Sequence, residues 1–375
     1  MIYLDNAATT SPKPQNVKNS VSFALQNYCA NPGRSGHTLS ENCAEMIYNT
    51  RSKVADFFGV STPEKVVFTQ NCTQSLNILI NGLFKAGDHI IISCYEHNAV
   101  SRPTFAFSKK GGSFDVAYVY DDDEQTVKSF KSKIKRNTKA IICTHASNVF
   151  GKKLPIERLG KLCREYGLLM IVDAAQTAGV VDINCEKMNI DYLCIAPHKG
   201  LYAPMGVGIL VTDNKPEPFV LGGTGSVSVD LNQPDFTPDK YESGTVNVPA
   251  IAGISAGIDF VKKSKVLYDH ELRLVTAVYD ELKNNEKIRF YHHRPDRSYV
   301  PVISFNISDV SSEKVAARLN DFGIAVRAGL HCAPMAHYYM GTQKQGTVRV
   351  CPSVFTMDSD IEKFISVTNK IAKEF

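Results

Sequence analysis

The chain has 375 residues, 43% of them hydrophobic and 21% charged, with a formal net charge of +4. This composition excludes a disordered or fibrous protein, and the length exceeds the ~250–300 residues at which single cores stop growing, so about two domains are expected. The scattered charge argues against a nucleic-acid partner: the one locally basic stretch, from Lys128 to Lys139, has the spacing of a solvated helix face.

The first residues, MIYLDNAATT, lack the basic and apolar regions of a signal peptide. No apolar stretch approaches the ~20 residues of a membrane span, so a cytoplasmic protein is expected. A helical pattern covers residues 40–58. Residues 63–212 then alternate β-rich runs (65–68, 89–93, 114–119, 139–144, 168–172, 192–196 and 207–211) with amphipathic stretches such as 73–84, 124–135 and 156–166. Several runs are apolar throughout, as strands covered on both faces must be. The alternation predicts an α/β layer with a mostly parallel seven-stranded sheet. Residues 214–250, rich in Pro, Gly, Ser and Asp, read as a long loop region, and long ordered loops are usually functional. Helical patterns at 250–262, 267–283, 312–322 and 359–373, with strands at 302–306, 324–327 and 347–350, predict a second, smaller α/β unit. The expected division is a large domain of residues 14–250 and a small one built from 1–13 and 251–375. The ten cysteines form no CxxC pair; they read as small core residues rather than a disulfide framework, and no ligand quartet supports a structural metal.

In open α/β sheets, sites gather at the carboxyl ends of strands. Those ends carry Thr69-Gln70-Asn71-Cys72-Thr73, Glu96-His97, His145-Ala146-Ser147-Asn148, Asp173-Ala174-Ala175-Gln176 and Pro197-His198-Lys199. A lysine beyond a strand can form an imine with an aldehyde cofactor. An aspartate can pair with a protonated pyridine nitrogen. A helix N-terminus at Thr73 suits a phosphate, and the flat His97 ring can stack on a flat cofactor. Each residue also has a plainer reading: Lys199 as a surface lysine, Asp173 and Thr73 as helix caps, His97 as a loop histidine. The ordered set favours chemistry over coincidence.

This set resembles the class V pyridoxal-phosphate enzymes of fold type I, and among them the cysteine desulfurases. The resemblance runs through Tyr3-Leu4-Asp5-Asn6-Ala7-Ala8, Asn31-Pro32, Gly36-His37, Thr69 to Asn77, Glu96 to Ala99, Ser147-Asn148, Asp173 to Gln176, His198-Lys199, Gly206-Val207-Gly208 and Glu242 to Thr245. It implies pyridoxal 5'-phosphate held as an imine on Lys199. Asp173 would face the pyridine nitrogen, Gln176 the ring hydroxyl and His97 the ring face. Cys72, Thr73 and His198 would lie at the phosphate, with Thr245 reaching a neighbouring subunit's phosphate in a homodimer. Two positions depart from the family: Ala196 stands where a Ser or Thr is usual, and Cys72 replaces a common Thr. The phosphate would then lean more on backbone N–H groups, at ~0.5–1.5 kcal/mol for each hydroxyl bond lost.

A second constellation, Arg327-Ala328-Gly329-Leu330-His331-Cys332, precedes Gly346-Thr347-Val348-Arg349. A cysteine beside a histidine and near arginine is a candidate nucleophile; the plainer reading is an inert loop cysteine. Arg349, in a strand, needs an anionic partner and suits two-point binding of a carboxylate, with Asn148 completing the clamp. The Arg-x-Gly-x-His-Cys pattern resembles the Suf-type desulfurases of group II. It implies L-cysteine or L-selenocysteine as substrate, a persulfide on Cys332, Ala8 and Arg327 as further substrate contacts, and a thiol or protein as sulfur acceptor. His37 and His97 are candidate proton handlers. The alternatives are a selenocysteine lyase, a class V aminotransferase or β-lyase, and a cofactor-free scaffold.

Overall fold

The structure is a computed structural model and describes residues 1–33, 35–264 and 267–375. In chain order, β1 (Ile2–Tyr3), α1 (Gln15–Asn27) and α2 (Thr38–Phe58) lead into β2 (Val66–Thr69) and α3 (Cys72–Leu83). There follow β3 (His89–Ser93), α4 (Asn98–Lys109), β4 (Ser113–Ala117), α5 (Asp123–Lys131), β5 (Thr138–Thr144), α6 (Ile156–Tyr166), β6 (Leu169–Asp173), β7 (Tyr192–Ile195) and β8 (Gly208–Val211). The C-terminal part holds α7 (Val248–Lys263), α8 (Leu267–Leu282), β9 (Ile288–Phe290), β10 (Ile303–Ile307), α9 (Ser312–Asp321), β11 (Ile324–Ala325), α10 (Pro334–Tyr339), β12 (Val348–Val350) and α11 (Asp358–Glu374).

Seven strands form one sheet in the order β2-β8-β7-β6-β5-β3-β4. Only β8 runs against its neighbours, β2 and β7; the other pairings are parallel. The expectation of a mostly parallel seven-stranded α/β sheet is therefore met. Strands β2, β3, β7 and β8 are buried at every residue, because helices cover both faces. The two-residue period divides β3 between them. Ile90 and Ile92 pack with Leu76, Leu79 and Val100, while Ile91 packs with Phe130 and Leu159 on the opposite face. Each such side chain contributes about 1.5–3 kcal/mol when fully buried.

The C-terminal part builds an antiparallel sheet, β12-β10-β9, and a two-stranded parallel sheet in which Ile2 and Tyr3 of β1 pair with Ile324 and Ala325 of β11. Leu4 is buried with Leu274, Phe305, Val315 and Phe364. The amino-terminal segment thus packs in the C-terminal core.

Three helices lie outside the elements expected from periodicity: α1, α4 and the six-residue α10. In α1 only Val17 and Ala24 are buried, too few to mark an apolar stripe. In α4, Pro103 stands inside the helix and reads in sequence as a breaker. Helix α5 ends at Lys131, four residues before the expected 135, where Ser132 forms its C-cap. Residues 214–247 contain no helix or strand, as the loop reading required.

Candidate active site

The carboxyl ends of β2, β3, β5, β6 and β7 meet around a cavity of about 230 Å³, lined by Ala8, Cys72, Thr73, His97, Asn148, Asp173, Gln176, Ala196, His198, Lys199, Arg327, His331 and Arg349, among others. Residues from most of the chain's length converge here because a parallel sheet places every such end on one edge.

Asp173 is the last residue of β6 and is buried. Its Oδ1 accepts the Cys72 thiol at 3.5 Å and the Ala175 N–H at 2.9 Å. Oδ2 makes no hydrogen bond among the described residues, and the buried Lys199 amine is the cation whose charge Asp173 meets across the site, as a buried carboxylate requires. Lys199 follows β7 in a turn whose Tyr202 N–H donates to the Lys199 carbonyl at 2.8 Å. Burial lowers the Lys199 pKa, with Asp173 opposing and Arg349 reinforcing the shift. The ammonium is therefore easier to deprotonate than a surface lysine.

His97 caps α4: its Nδ1 accepts the Ala99 N–H at 3.0 Å, which leaves the proton of the neutral ring on Nε2. Burial holds its pKa low, against the pull of Asp173. Asn71, not Thr73, caps α3, accepting the Gln74 N–H at 2.9 Å. Thr73 is exposed in the first turn of α3, where N–H groups are free for an anion. The Cys72 thiol is pushed well above its ordinary pKa, first by burial and then by Asp173, so it is a neutral donor. The His198 carbonyl accepts from Thr9, Thr10 and Lys13 Nζ. Its ring pKa is depressed to about 4 by burial and by Lys199 and Lys13, and its buried Nδ1 has no partner.

Arg349, on β12, is 1% exposed. Nη1 donates to the Asn148 carbonyl at 2.8 Å and Nη2 to Asp5 Oδ1 at 2.7 Å, while Nε is buried without a partner. The Asn148 amide donates through Nδ2 to the His331 carbonyl at 2.8 Å, and its Oδ1 is likewise unpartnered. Arg327 lies antiparallel to Arg349, with the Arg349 N–H donating to the Arg327 carbonyl at 2.8 Å.

Cys332 is exposed and lies at φ +57°, next to His331 at φ +49°. Such consecutive left-handed residues cost about 1–3 kcal/mol each and cluster at functional loops. Arg327 Nη2 stands 3.7 Å from Cys332 Sγ, and the Asn98 N–H donates to the Cys332 carbonyl at 2.7 Å, tying this loop to the helix that His97 caps. Cys332 itself is not among the residues lining the cavity. His331 is no cation for it. The ring donates Nε2–H to the Thr347 carbonyl at 3.0 Å, and burial, with Arg349 next, drives its pKa down to about 2.

Two expected site residues stand apart. His37 is exposed and caps α2, its Nδ1 accepting the Ser40 N–H at 3.2 Å; this capping geometry replaces the expected place beside the reacting atoms within one chain. Thr245 is exposed on the loop before α7 and outside the cavity. Sequence reasoning also missed two residues. Asp5 lies within a quoted motif, but nothing local announces a partner at Arg349. Glu96 is fully buried below the site, its Oε1 accepting from Ser93 and from the Thr144 N–H; its only sequence signal is its place beside His97. Among the described residues no group of His, Cys, Asp and Glu could hold a metal ion, and no helix is long and apolar enough to cross a membrane.

The Aminotransferase class-V family profile matches residues 2–364. A probable cysteine desulfurase of Pyrococcus abyssi is 32% identical over 386 residues, covering 100% of this chain and 94% of that protein. A cysteine desulfurase of Wigglesworthia glossinidia brevipalpis is 28% identical, covering 100% of this chain and 93% of that protein. The apo structure of a cysteine desulfurase from Thermococcus onnurineus NA1 superposes with a TM-score of 0.92 at 32% identity, covering 100% of this chain and 95% of that one. With its fold, its strand-end site and its length thus matched, the chain is an enzyme of the class-V aminotransferase family, within the branch of the cysteine desulfurases.

Proposed function

We propose that this enzyme takes the sulfur of L-cysteine onto Cys332 as a persulfide and releases L-alanine, using pyridoxal 5'-phosphate. The observation that carries this reading is the pairing, across one cavity, of a buried lysine amine facing Asp173 with a buried arginine suited to a carboxylate. The residues fit the cofactor. Among the described residues neither Asp173 Oδ2 nor Lys199 Nζ makes a hydrogen bond, and the buried His198 Nδ1 and the first turn of α3 offer polar groups for a phosphate. Lys199 would hold the aldehyde carbon and Gln176 the ring hydroxyl. His97 would cover the ring, Cys72, Thr73 and His198 would border the phosphate, and Thr245 would come from a second copy. When bound, the group supplies an electron sink for the carbon bearing the substrate nitrogen.

The chain's own residues do the rest. Arg349 and Asn148, with Ala8 and Arg327 alongside, bind and orient the substrate carboxylate. Lys199 Nζ takes the proton from the substrate Cα and later returns one, a role its lowered pKa suits. Cys332 Sγ attacks the substrate sulfur, breaking its bond to Cβ. Its exposure at the rim leaves the thiol open to substrate and acceptor, and Arg327, 3.7 Å from Sγ, stabilises the thiolate. His97 Nε2 donates a proton, and His37 joins the proton traffic only if a second copy brings it near. The persulfide then faces solvent, where an acceptor thiol or protein can collect it.

The Arg-x-Gly-x-His-Cys run from Arg327 to Cys332 supports a Suf-type reading. Residues 14–250 form the cofactor-holding unit, and 1–13 with 251–375 form the unit that carries Arg349 and Cys332. A cytoplasmic homodimer is the working form. Product analysis with L-cysteine tests the reading: alanine and persulfide in equal amounts are expected, and Cys332→Ala should stop both. Pyruvate in place of alanine, or undiminished turnover without Cys332, would contradict it.

A further inference from the structure

Arg349 already holds a carboxylate. Asp5 follows β1 and is pinned there: it bridges to Cys351, and the Tyr3 hydroxyl donates to its carbonyl at 3.2 Å. Its Oδ1 stands 2.7 Å from Arg349 Nη2, while Nη1 points to the Asn148 carbonyl. The guanidinium is 1% exposed and the Asp5 side chain 21%, so Asp5 approaches from the more open side of the pair. A guanidinium this buried needs an anion at all times. Arg349 Nε, buried without a partner, is the guanidinium donor not yet committed to Asp5 or to the Asn148 carbonyl.

We infer that Asp5 is a positioning residue that serves as the internal counter-ion of Arg349 and competes with the substrate's carboxylate for it. This inference rests on the function proposed above. Substrate entry is then an exchange of one carboxylate for another, and affinity reflects the difference between two ion pairs rather than the whole worth of one. The same exchange run backwards helps product leave, because Asp5 remains tethered beside the arginine at a high effective concentration. The rival role is structural: Asp5 merely orients the guanidinium, and removing it loosens the clamp. The two roles predict opposite signs.

The test uses the cofactor-loaded enzyme and follows its visible absorbance during titration with L-alanine and, separately, with ethylamine, which has an amine but no carboxylate. Asp5→Asn keeps the shape and an acceptor but removes the charge; Asp5→Ala is the second variant should the first fold poorly. Competition predicts that L-alanine binds on the order of tenfold tighter, the worth of a charge-assisted hydrogen bond, with ethylamine affinity unchanged. KM for L-cysteine should fall far more than kcat changes. Weaker or unchanged L-alanine binding, or an equal change for both amines, overturns the inference. A wild-type enzyme whose spectrum responds to neither amine would instead sink the functional reading itself.

Discussion

At the scale of single residues, burial sets the chemistry of the site. Arg349 is the clearest case, since only a planar, permanently charged fork can serve the Asn148 carbonyl and a carboxylate from one buried position. Arg349→Lys should therefore raise KM for L-cysteine by about 10- to 100-fold, which steady-state kinetics would read; an unchanged KM would remove Arg349 from the substrate. Glu96 shows the same force acting on an acid. Burial raises its pKa from 4.5 to about 8, so the folded protein keeps a proton that the unfolded chain gives up above about pH 4.5. Its contribution is full below that point and is lost as pH rises toward 8, at up to ~1.4 kcal/mol per pH unit. Glu96→Gln cannot ionise, so its stability relative to wild type should improve from pH 5 to pH 8 in urea melts. A constant difference across that range would mean that Glu96 is ionised in the fold. Lys199, Asp173 and Arg349 were legible in sequence because each sits at a strand end or in a strand, where a charge calls for an explanation. Asp5 and Glu96 were not, because a partner hundreds of residues away, or a burial fixed by the neighbouring strand, leaves no local mark.

At the scale of elements, the phosphate end of the site depends on how α3 begins. Asn71 caps it, and Gly208, opening β8, lies so close that a Cβ there would stand 2.4 Å from the Asn71 carbonyl carbon. Gly208→Ala must therefore push the start of α3 outward. Asn71→Ala should cost about 1 kcal/mol through the lost cap. Both variants should lose cofactor absorbance on dialysis faster than wild type; equal retention would show that α3 does not hold the phosphate. The seven strands were readable because their apolar runs are bounded by turns. Helix α4 was not, because Pro103 interrupts its pattern while Val100 and Phe107 anchor it in the core.

At the scale of the molecule, the chain closes on itself. Strand β1 pairs with β11 and carries Asp5 to Arg349, so the first residues belong to the binding site though they stand farthest from it in sequence. His37 and Thr245, both exposed and away from the cavity, make sense as site residues only in an assembly. Thr245→Val should weaken cofactor retention while the protein still sediments as a dimer; a monomeric wild type would remove both residues from the site. Assembly is what a single sequence conceals most, since an exposed loop residue looks the same whether solvent or a second copy covers it.

The account stands most directly on Lys199. Purified wild-type protein supplied with pyridoxal 5'-phosphate should show a visible absorbance band that Lys199→Ala abolishes while its fold, read by circular dichroism, is retained. A band of equal position and strength in Lys199→Ala would contradict the assignment of the site.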